Sequence, residues 1–499
     1  MKLVKTFLIA TVILTAWLAA PQSRAGVAFT NLAFFTYTNP PNYGWNNNPY
    51  GHTSALVQGN DGNFYGTTFG GGDTPGYAGG GDGTVFKMTP GGVFTSLYSF
   101  DTIVFEKDGR APMGNLIKGA DGNLYGTTIY GGNLSDISEG TIFQITTNGS
   151  LTTLYSFGHN MAGDTNFNNA YTNTDGGAPV AGVVQDSAGN FYGTTTSLGS
   201  GDQGTIYQLT SGGTLNTLHI FPYDTNAAFN VDGGMPESEL TKGPDGNFYG
   251  TTDAGGAYRW GTIFRIGADG TFTNLHDFTG IDGREPNAPM VQGKDGNFYG
   301  TTLTGGAPGY GTFFQITTNG LFTLLYTFIN NSNPSGLIQG SDGNFYGTTA
   351  TGGSYPNYPG TVFQITTNGT LTTLYSFSGP DGQEPDGGLV EGKDGNLYGT
   401  TSYGGPNWNS ASPVNSGYGT IFRITVPPAF QSITRTNGIA SLTWSAMSNQ
   451  VCQVQYSTNL ASTNWINLGN LITVTNSPIF VADSAATNSQ CFYRIMLTQ

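Results

Sequence analysis

Short runs of β-branched and aromatic residues alternate with polar positions from residue 29 to residue 426, and Gly, Asn and Asp punctuate them. Such a pattern predicts strands and tight turns rather than helices. The string DGNFYGTT or DGNLYGTT begins at Asp61, Asp121, Asp245, Asp295, Asp342 and Asp394, and a degenerate copy, SAGNFYGTT, begins at Ser187. The asparagines of these seven copies lie 47 to 67 residues apart, so the inserted residues belong to loops. Each unit resolves into four strands, a to d, which around the fifth copy read as 288–292, 297–302, 311–316 and 322–328. Asp-Gly-Asn supplies the a–b turn. Asn148-Gly149, Asp269-Gly270, Asn319-Gly320 and Asn368-Gly369 supply the c–d turn, because both residues of such dipeptides tolerate positive φ.

Four antiparallel strands in each of seven repeats predict an all-β, seven-bladed β-propeller, since a flat array would leave its edges exposed. The strand d pattern F/L-x-x-L-x-x-F starts at Phe94, Leu151, Leu215, Phe272, Phe322 and Leu371, and the seventh repeat runs into Pro427-Pro428 without it. The missing copy is Phe29-Thr30-Asn31-Leu32-Ala33-Phe34-Phe35, so the N-terminal strand is expected to complete the last blade and close the ring. After residue 427 the pattern changes. Runs at 440–444, 451–456, 465–468, 479–482 and 491–497 predict a small C-terminal β-sandwich with Trp444, Tyr456 and Tyr493 in its core. Cys452 and Cys491, the chain's two cysteines, head strands of that module. They are expected to form a disulfide, the alternative being two buried thiols.

The unit G-x-DGN-F/L-YGTT-x-x-GG, followed by GT-I/V-F and L-T-T-L-Y-S-F, resembles the GloVer tandem repeat of exported bacterial β-propellers whose C-terminal anchor or sorting module varies. Residues 427–499 are similar to a fibronectin type III or immunoglobulin-like module. The resemblance implies an exported propeller and carries over no catalytic residue. Residues 1–25 agree with export: Lys2 and Lys5 precede an apolar run at 7–20, then Ser23-Arg24-Ala25, which reads as a cleaved signal peptide. The domains expected are therefore 1–25, 26–426 and 427–499.

Composition narrows the partners. The 499 residues include 78 Gly, 9% are charged, and the formal net charge is −15. Cleavage at residue 25 removes Lys2, Lys5 and Arg24 and no acidic residue, which deepens the negative charge. Such a surface repels nucleic acid and anionic lipid. The C-terminal residues carry no apolar tail, so no membrane insertion is expected after signal cleavage. The expected location is periplasmic, cell-surface or extracellular.

In an up-and-down blade the a–b and c–d turns share one end, and the b–c and d–a loops share the other. All the insertions, at 72–81, 133–139, 158–175, 222–232 and 406–417, fall at the loop end, where binding usually resides. Trp45, Tyr77, Trp260, Tyr310, Tyr358 and Trp408 stand there among many Asn residues, a composition suited to the apolar faces and hydroxyls of sugars. Each of these rings could equally plug a loop against the ring. Glu237, Glu285 and Glu384 lie near the starts of strand a, where carboxylates could converge as acid and base; the repeated D-G-x-x-P turn accounts for their positions equally well. The turn aspartates could be calcium ligands, but Asp also bonds its own turn backbone, and the latter role is favoured. His219 and His276 replace strand d tyrosines, and no metal-binding or Ser-His-Asp spacing is visible. The reading is an exported, non-catalytic binding or surface-scaffold protein for carbohydrate or an extracellular protein, with no cofactor. The alternative is a polysaccharide hydrolase or lyase using channel carboxylates.

Overall fold

The computed structural model describes residues 26–35, 54–72, 82–100, 108–132, 139–158, 175–197, 203–222, 230–330, 332–354, 359–406, 408–409, 416–460, 464–484 and 491–498. Residues 1–25, Trp45, Tyr77, Tyr358 and most of the inserted loop residues lie outside them. Among the described residues every regular element is a strand. Seven four-stranded antiparallel sheets hold the repeats, and in six of them the strands follow sequence order. The first runs Val57–Gln58, Phe64–Thr68, Thr84–Met88 and Phe94–Ser99. The seventh consists of Leu389–Glu391, Leu397–Thr401 and Thr420–Thr425, and its fourth strand is Ala28–Phe34. The N-terminal segment thus occupies the strand d place of the last repeat. It also reproduces a local detail of that place. In the first six sheets the c–d register shifts after the second residue of strand c, as at Val362/Phe363, and the N-terminal strand shifts between Asn31 and Ala33 against Ile421 and Phe422.

The repeated letters each have a packing reason. The glycine of YGTT lies under the aromatic ring of strand c; a Cβ on Gly300 would fall 2.5 Å from Cζ of Phe314. The second threonine of YGTT and the first residue of strand c bond through their hydroxyls, as in Thr302 and Thr312 at 2.8 Å, so both buried polar groups are satisfied. The Tyr of one strand b packs on the aromatic residue that opens the next strand b: Tyr192 on Phe248 at 4.0 Å between ring centroids, Tyr249 on Phe298 at 4.1 Å, and Tyr299 on Phe345 at 4.3 Å. Tyr398 of the seventh sheet makes the same contact with Phe64 of the first, at 4.1 Å. Turn-end hydrogen bonds cross that junction too, from the Lys393 amide to Gln58 Oε1 at 2.9 Å. The core is therefore a series of similar clusters between neighbouring sheets, including one between the last and the first.

Two further sheets follow. One holds Ala429–Thr436, Ile439–Ser445 and Ile479–Asp483; the other pairs Val451–Ser457 with Ile466–Asn467, Ile472–Thr473 and Phe492–Leu497. They enclose Leu442, Trp444, Cys452 and Val454, with Tyr493 half-buried and its hydroxyl donating to Asp483 at 2.9 Å. The expected disulfide does not form: Cys452 and Cys491 are both free thiols. Cys452 pairs with Leu497, whereas Phe492, next to Cys491, pairs with Ser457. Both cysteines head their strands, but the strands are antiparallel, so their heads lie at opposite ends, about 20 Å apart at strand spacing, far beyond the reach of an S–S bond. The turn at Met447 to Gln450 docks these sheets on the turn end of the repeats, where the Ser448 amide donates to Ser341 Oγ at 2.6 Å and Asn449 Nδ2 to the Lys393 carbonyl at 2.9 Å.

Candidate functional site

The turn aspartates are spent on architecture. Asp61 accepts the Asn63 amide at 3.2 Å, Asn63 Nδ2 at 2.6 Å, the Tyr65 hydroxyl at 2.8 Å and Lys87 Nζ at 2.9 Å. Partial burial opposes ionisation of Asp61, but these donors outweigh it and hold the carboxyl below its ordinary range. The amide and tyrosine bonds recur at Asp121, Asp245, Asp295, Asp342 and Asp394. In the degenerate copy Asp186, two positions before Ala188, does the same work, accepting from the Asn190 amide at 2.9 Å and the Tyr192 hydroxyl at 3.2 Å. The strand b tyrosines are thus core rings whose hydroxyls also pin the turn.

At the other end of the sheets a second clamp sets the D-G-x-x-P turn. The Tyr155 hydroxyl donates to Asp175 at 2.7 Å, Tyr375 bonds Asp381 at 2.5 Å, and His276 Nε2 meets Asp282 at 3.1 Å. His219 takes the same place, with its Nε2 at 3.6 Å from Asp232. Past the clamp, the residue before Pro adopts positive φ: Ala111, Ala178, Met235, Glu285 and Glu384 all lie between 51° and 56°. Two of the candidate carboxylates, Glu285 and Glu384, occupy this position, and Glu237 follows the equivalent Pro236.

The structure brings Glu237 and Glu285 together around a residue that sequence reasoning missed. Asp253 is pushed up to about 7 by burial, and the negative charges of Glu237 and Glu285 add to the effect. Glu237 is itself raised by burial, while Glu285 Oε2 accepts the Thr304 hydroxyl at 3.0 Å. Glu384 stands apart, beside another missed acid: Asp386 is raised by burial and by Glu384, and accepts the Ser402 hydroxyl at 3.0 Å. The signal lay in departures from the repeat. Asp253 stands where other copies have Phe69, Ile129, Leu303 or Ala350, and Asp386 takes the place of Glu237, where other copies have Met113, Val180 or Asn287.

Titration of this group has a definite sign. Because the folded-state pKa of Asp253 is raised, its favourable contribution is complete below the unfolded value near 3.8 and is lost as pH rises through about 7. Asp253→Asn has no charge to bury, so its melting temperature relative to the parent is expected to climb between pH 5 and pH 8. A difference independent of pH would contradict this placement.

Of the aromatic candidates within the described residues, Trp260, Tyr310 and Trp408 are all half-buried at the loop end. The Arg284 guanidinium lies 3.8 Å over the Trp260 ring. Trp408 sits on a turn glycine, where a Cβ on Gly379 would be 2.3 Å from its Cε2; at the equivalent Gly280 the Arg284 guanidinium is nearer, its Nε 2.9 Å from such a Cβ, with Trp260 Nε1 behind it at 3.4 Å. Tyr310 packs against the cluster of Phe328 and Phe345. Glu285 and Trp260 are also joined directly, the Glu285 amide donating to the Trp260 carbonyl at 3.2 Å.

The repeat and its spacing define the class, and the family follows from comparison. The Gloeobacter/Verrucomicrobia repeat matches residues 25–166, 159–335 and 291–453, and the chain belongs to that family. No curated protein matches it. Similar solved structures include a streptogramin B lyase, at 15% identity and TM-score 0.48, with 80% of this chain and 98% of that one covered. Virginiamycin B lyase from Staphylococcus aureus gives 15% identity and TM-score 0.49, with 80% and 99% covered. A puromycin hydrolase gives 12% and 0.43, with 82% and 61% covered. Among the described residues no helix is long and apolar enough to cross a membrane, and no group of three or more His, Cys, Asp or Glu is arranged to hold a metal ion.

Proposed function

We propose that this chain is an exported seven-bladed β-propeller, residues 26–426, closed by its N-terminal strand and followed by a fibronectin III/Ig-like sandwich at 427–499. It acts as a non-catalytic binding module for carbohydrate, through the loop end. The observation that supports this reading is a repeated pairing: the half-buried indoles of Trp260, under the Arg284 guanidinium, and of Trp408, on Gly379, lie beside equivalent turns, and the same turns carry the carboxylates Glu285 and Glu384. An apolar ring face beside hydrogen-bond acceptors suits a sugar, which presents C–H faces and hydroxyls. Affinity electrophoresis against a panel of polysaccharides tests it. The parent is expected to be retarded by at least one neutral glycan, and Trp260→Ala or Trp408→Ala to weaken retardation about tenfold while leaving the melting temperature within a few degrees. Retention by no glycan would overturn the carbohydrate reading and leave a protein partner.

Asp253 favours a second reading. A carboxyl that is half protonated near neutrality, flanked by Glu237 and Glu285, matches the divided acid and base roles of a polysaccharide hydrolase or lyase. New reducing ends or unsaturated products that disappear in both Asp253→Asn and Glu285→Gln would establish it. Glycan retention without product would exclude it for that glycan.

A further inference from the structure

The open edge of a β-sheet pairs with any strand that reaches it, and folded chains guard such edges with proline, lysine, a bulge or extreme shortness. The sheets of this chain are guarded in these ways at all edges but one. The outer strand of every repeat sheet carries a register shift against its neighbour, as at Val85/Phe86, Ile142/Phe143, Ile206/Tyr207 and, for the N-terminal strand, Asn31/Ala33. The inner strands are two or three residues long, except Pro334–Gln339, which opens on a proline and shifts register after it. In the C-terminal sheets, Ala429–Thr436 shifts at Phe430/Ser432, Ile479–Asp483 follows Pro478, and Ile466–Asn467 and Ile472–Thr473 have two residues each. Phe492–Leu497 has none of these devices. It pairs with Val451–Ser457 over six consecutive residues without a shift, and among the described residues no strand pairs with its other side. The core is thinly covered there. Cys452 and Val454 are fully buried, whereas Leu497 and Ile495, opposite them and on the same face, are half-buried.

We propose that this edge is the docking site of an extended segment of a partner protein, which adds to the sheet antiparallel to Phe492–Leu497. The free backbone N–H and C=O groups supply the ladder, and every second side chain of the segment is apolar, to cover Ile495 and Leu497. The intervening side chains lie on the outer face beside Arg494 and Met496, and they are acidic. Residues 427–499 hold two basic side chains, Arg435 and Arg494, and one acid, Asp483, which is buried and accepts the Tyr493 hydroxyl. Arg494 is exposed and kept on the outer face, its Nε donating to Gln455 Oε1 at 2.8 Å and its guanidinium 4.5 Å from the centre of the Trp465 ring. Opposite charges on neighbouring strands attract. Pairing of this strand with a second copy of itself would instead bring together two chains of net charge −15, so the occupant is a segment of another protein. The site lies in the C-terminal sheets and does not rest on the carbohydrate reading.

The test is fluorescence anisotropy of the purified full chain with a blocked, dye-labelled peptide of about eight residues, a usual strand length, in which Val alternates with Glu and Thr. Its copies with Lys in place of Glu, and with every amide N-methylated, serve as controls. Amide hydrogen exchange at 492–497 and the sedimentation coefficient are followed in parallel. Saturable binding of the Glu peptide is expected, with exchange at 492–497 slowed about tenfold, affinity about fivefold lower for the Lys peptide, and no binding of the N-methylated one. In Arg494→Glu the preference between the Glu and Lys peptides should reverse. Absence of saturable binding, equal affinity for the N-methylated peptide, or exchange that the peptide leaves unchanged would each overturn the proposal. So would a parent chain that sediments as a dimer with this edge already protected, since a second copy would then hold the place. Should Arg494→Glu fail to fold, the three peptides and the exchange of the parent still decide it.

Discussion

Removing residues 26–36 is expected to lower the melting temperature by on the order of 10 °C and to broaden the transition. The segment contributes the whole fourth strand of the seventh sheet, paired with Thr420–Thr425 from Ala28 to Phe34. Its aromatic side chains are embedded. Phe29 stacks on Tyr375 at 3.9 Å between centroids, and Phe35 is 4% exposed and packs against Phe86 and Phe94 of the first sheet. Each buried Phe lost costs about 3–5 kcal/mol, and the edge of Thr420–Thr425 is left without its ladder partner. Such an edge invites pairing with other chains, so light scattering should rise with the loss of stability. A truncated chain that melts like the parent would show the strand to be an accessory. Supplying the 26–36 peptide in trans should recover part of the loss.

The second large effect concerns the junction between the ends of the repeat array. Phe64→Ala is expected to destabilise by about 3–5 kcal/mol, as much as Phe298→Ala. Both rings are fully buried, and both stack on the Tyr of the preceding sheet at 4.1 Å, Phe64 on Tyr398 and Phe298 on Tyr249. In a closed ring no interface is terminal, so the two substitutions should shift one cooperative transition equally. In an open array Phe64 would face solvent and its loss would cost much less. Urea unfolding of both variants at one pH separates these outcomes, provided the slopes with denaturant stay equal.

Most of this architecture was readable because its signals are local and repeated. The YGTT string forms strand b seven times, and counting strand d copies at the two termini pointed to the N-terminal segment as the missing strand. Direction was harder to read. Cys452 and Cys491 both head strands, and only the antiparallel register, Cys452 opposite Leu497, separates them. The loop-end carboxylates were half legible. Glu237 and Glu285 were visible as candidates, but Asp253 directly follows strand b of the fourth sheet, and its closeness to a glutamate of the fifth depends on how sheets face one another. Asp186 was hidden differently. The turn it caps lacks the usual Asp, and a side chain two positions upstream reaches back to fill the place, which hydrogen-bond geometry reveals and spacing does not.

The loop end is a single face only if the first and seventh sheets meet, so the distance between those sheets is the measurement to make. Lys393 Nζ lies 3.3 Å from the Asn60 carbonyl, across 333 residues of chain. Spin labels at Asn60→Cys and Lys393→Cys, in a chain with Cys452 and Cys491 replaced by Ala, report it by double electron–electron resonance. A closed ring gives one narrow, short distance that is lost on removal of residues 26–36. A broad distribution at long distances in the intact chain would contradict the ring, and with it the common face on which Trp260, Trp408 and the carboxylates are placed.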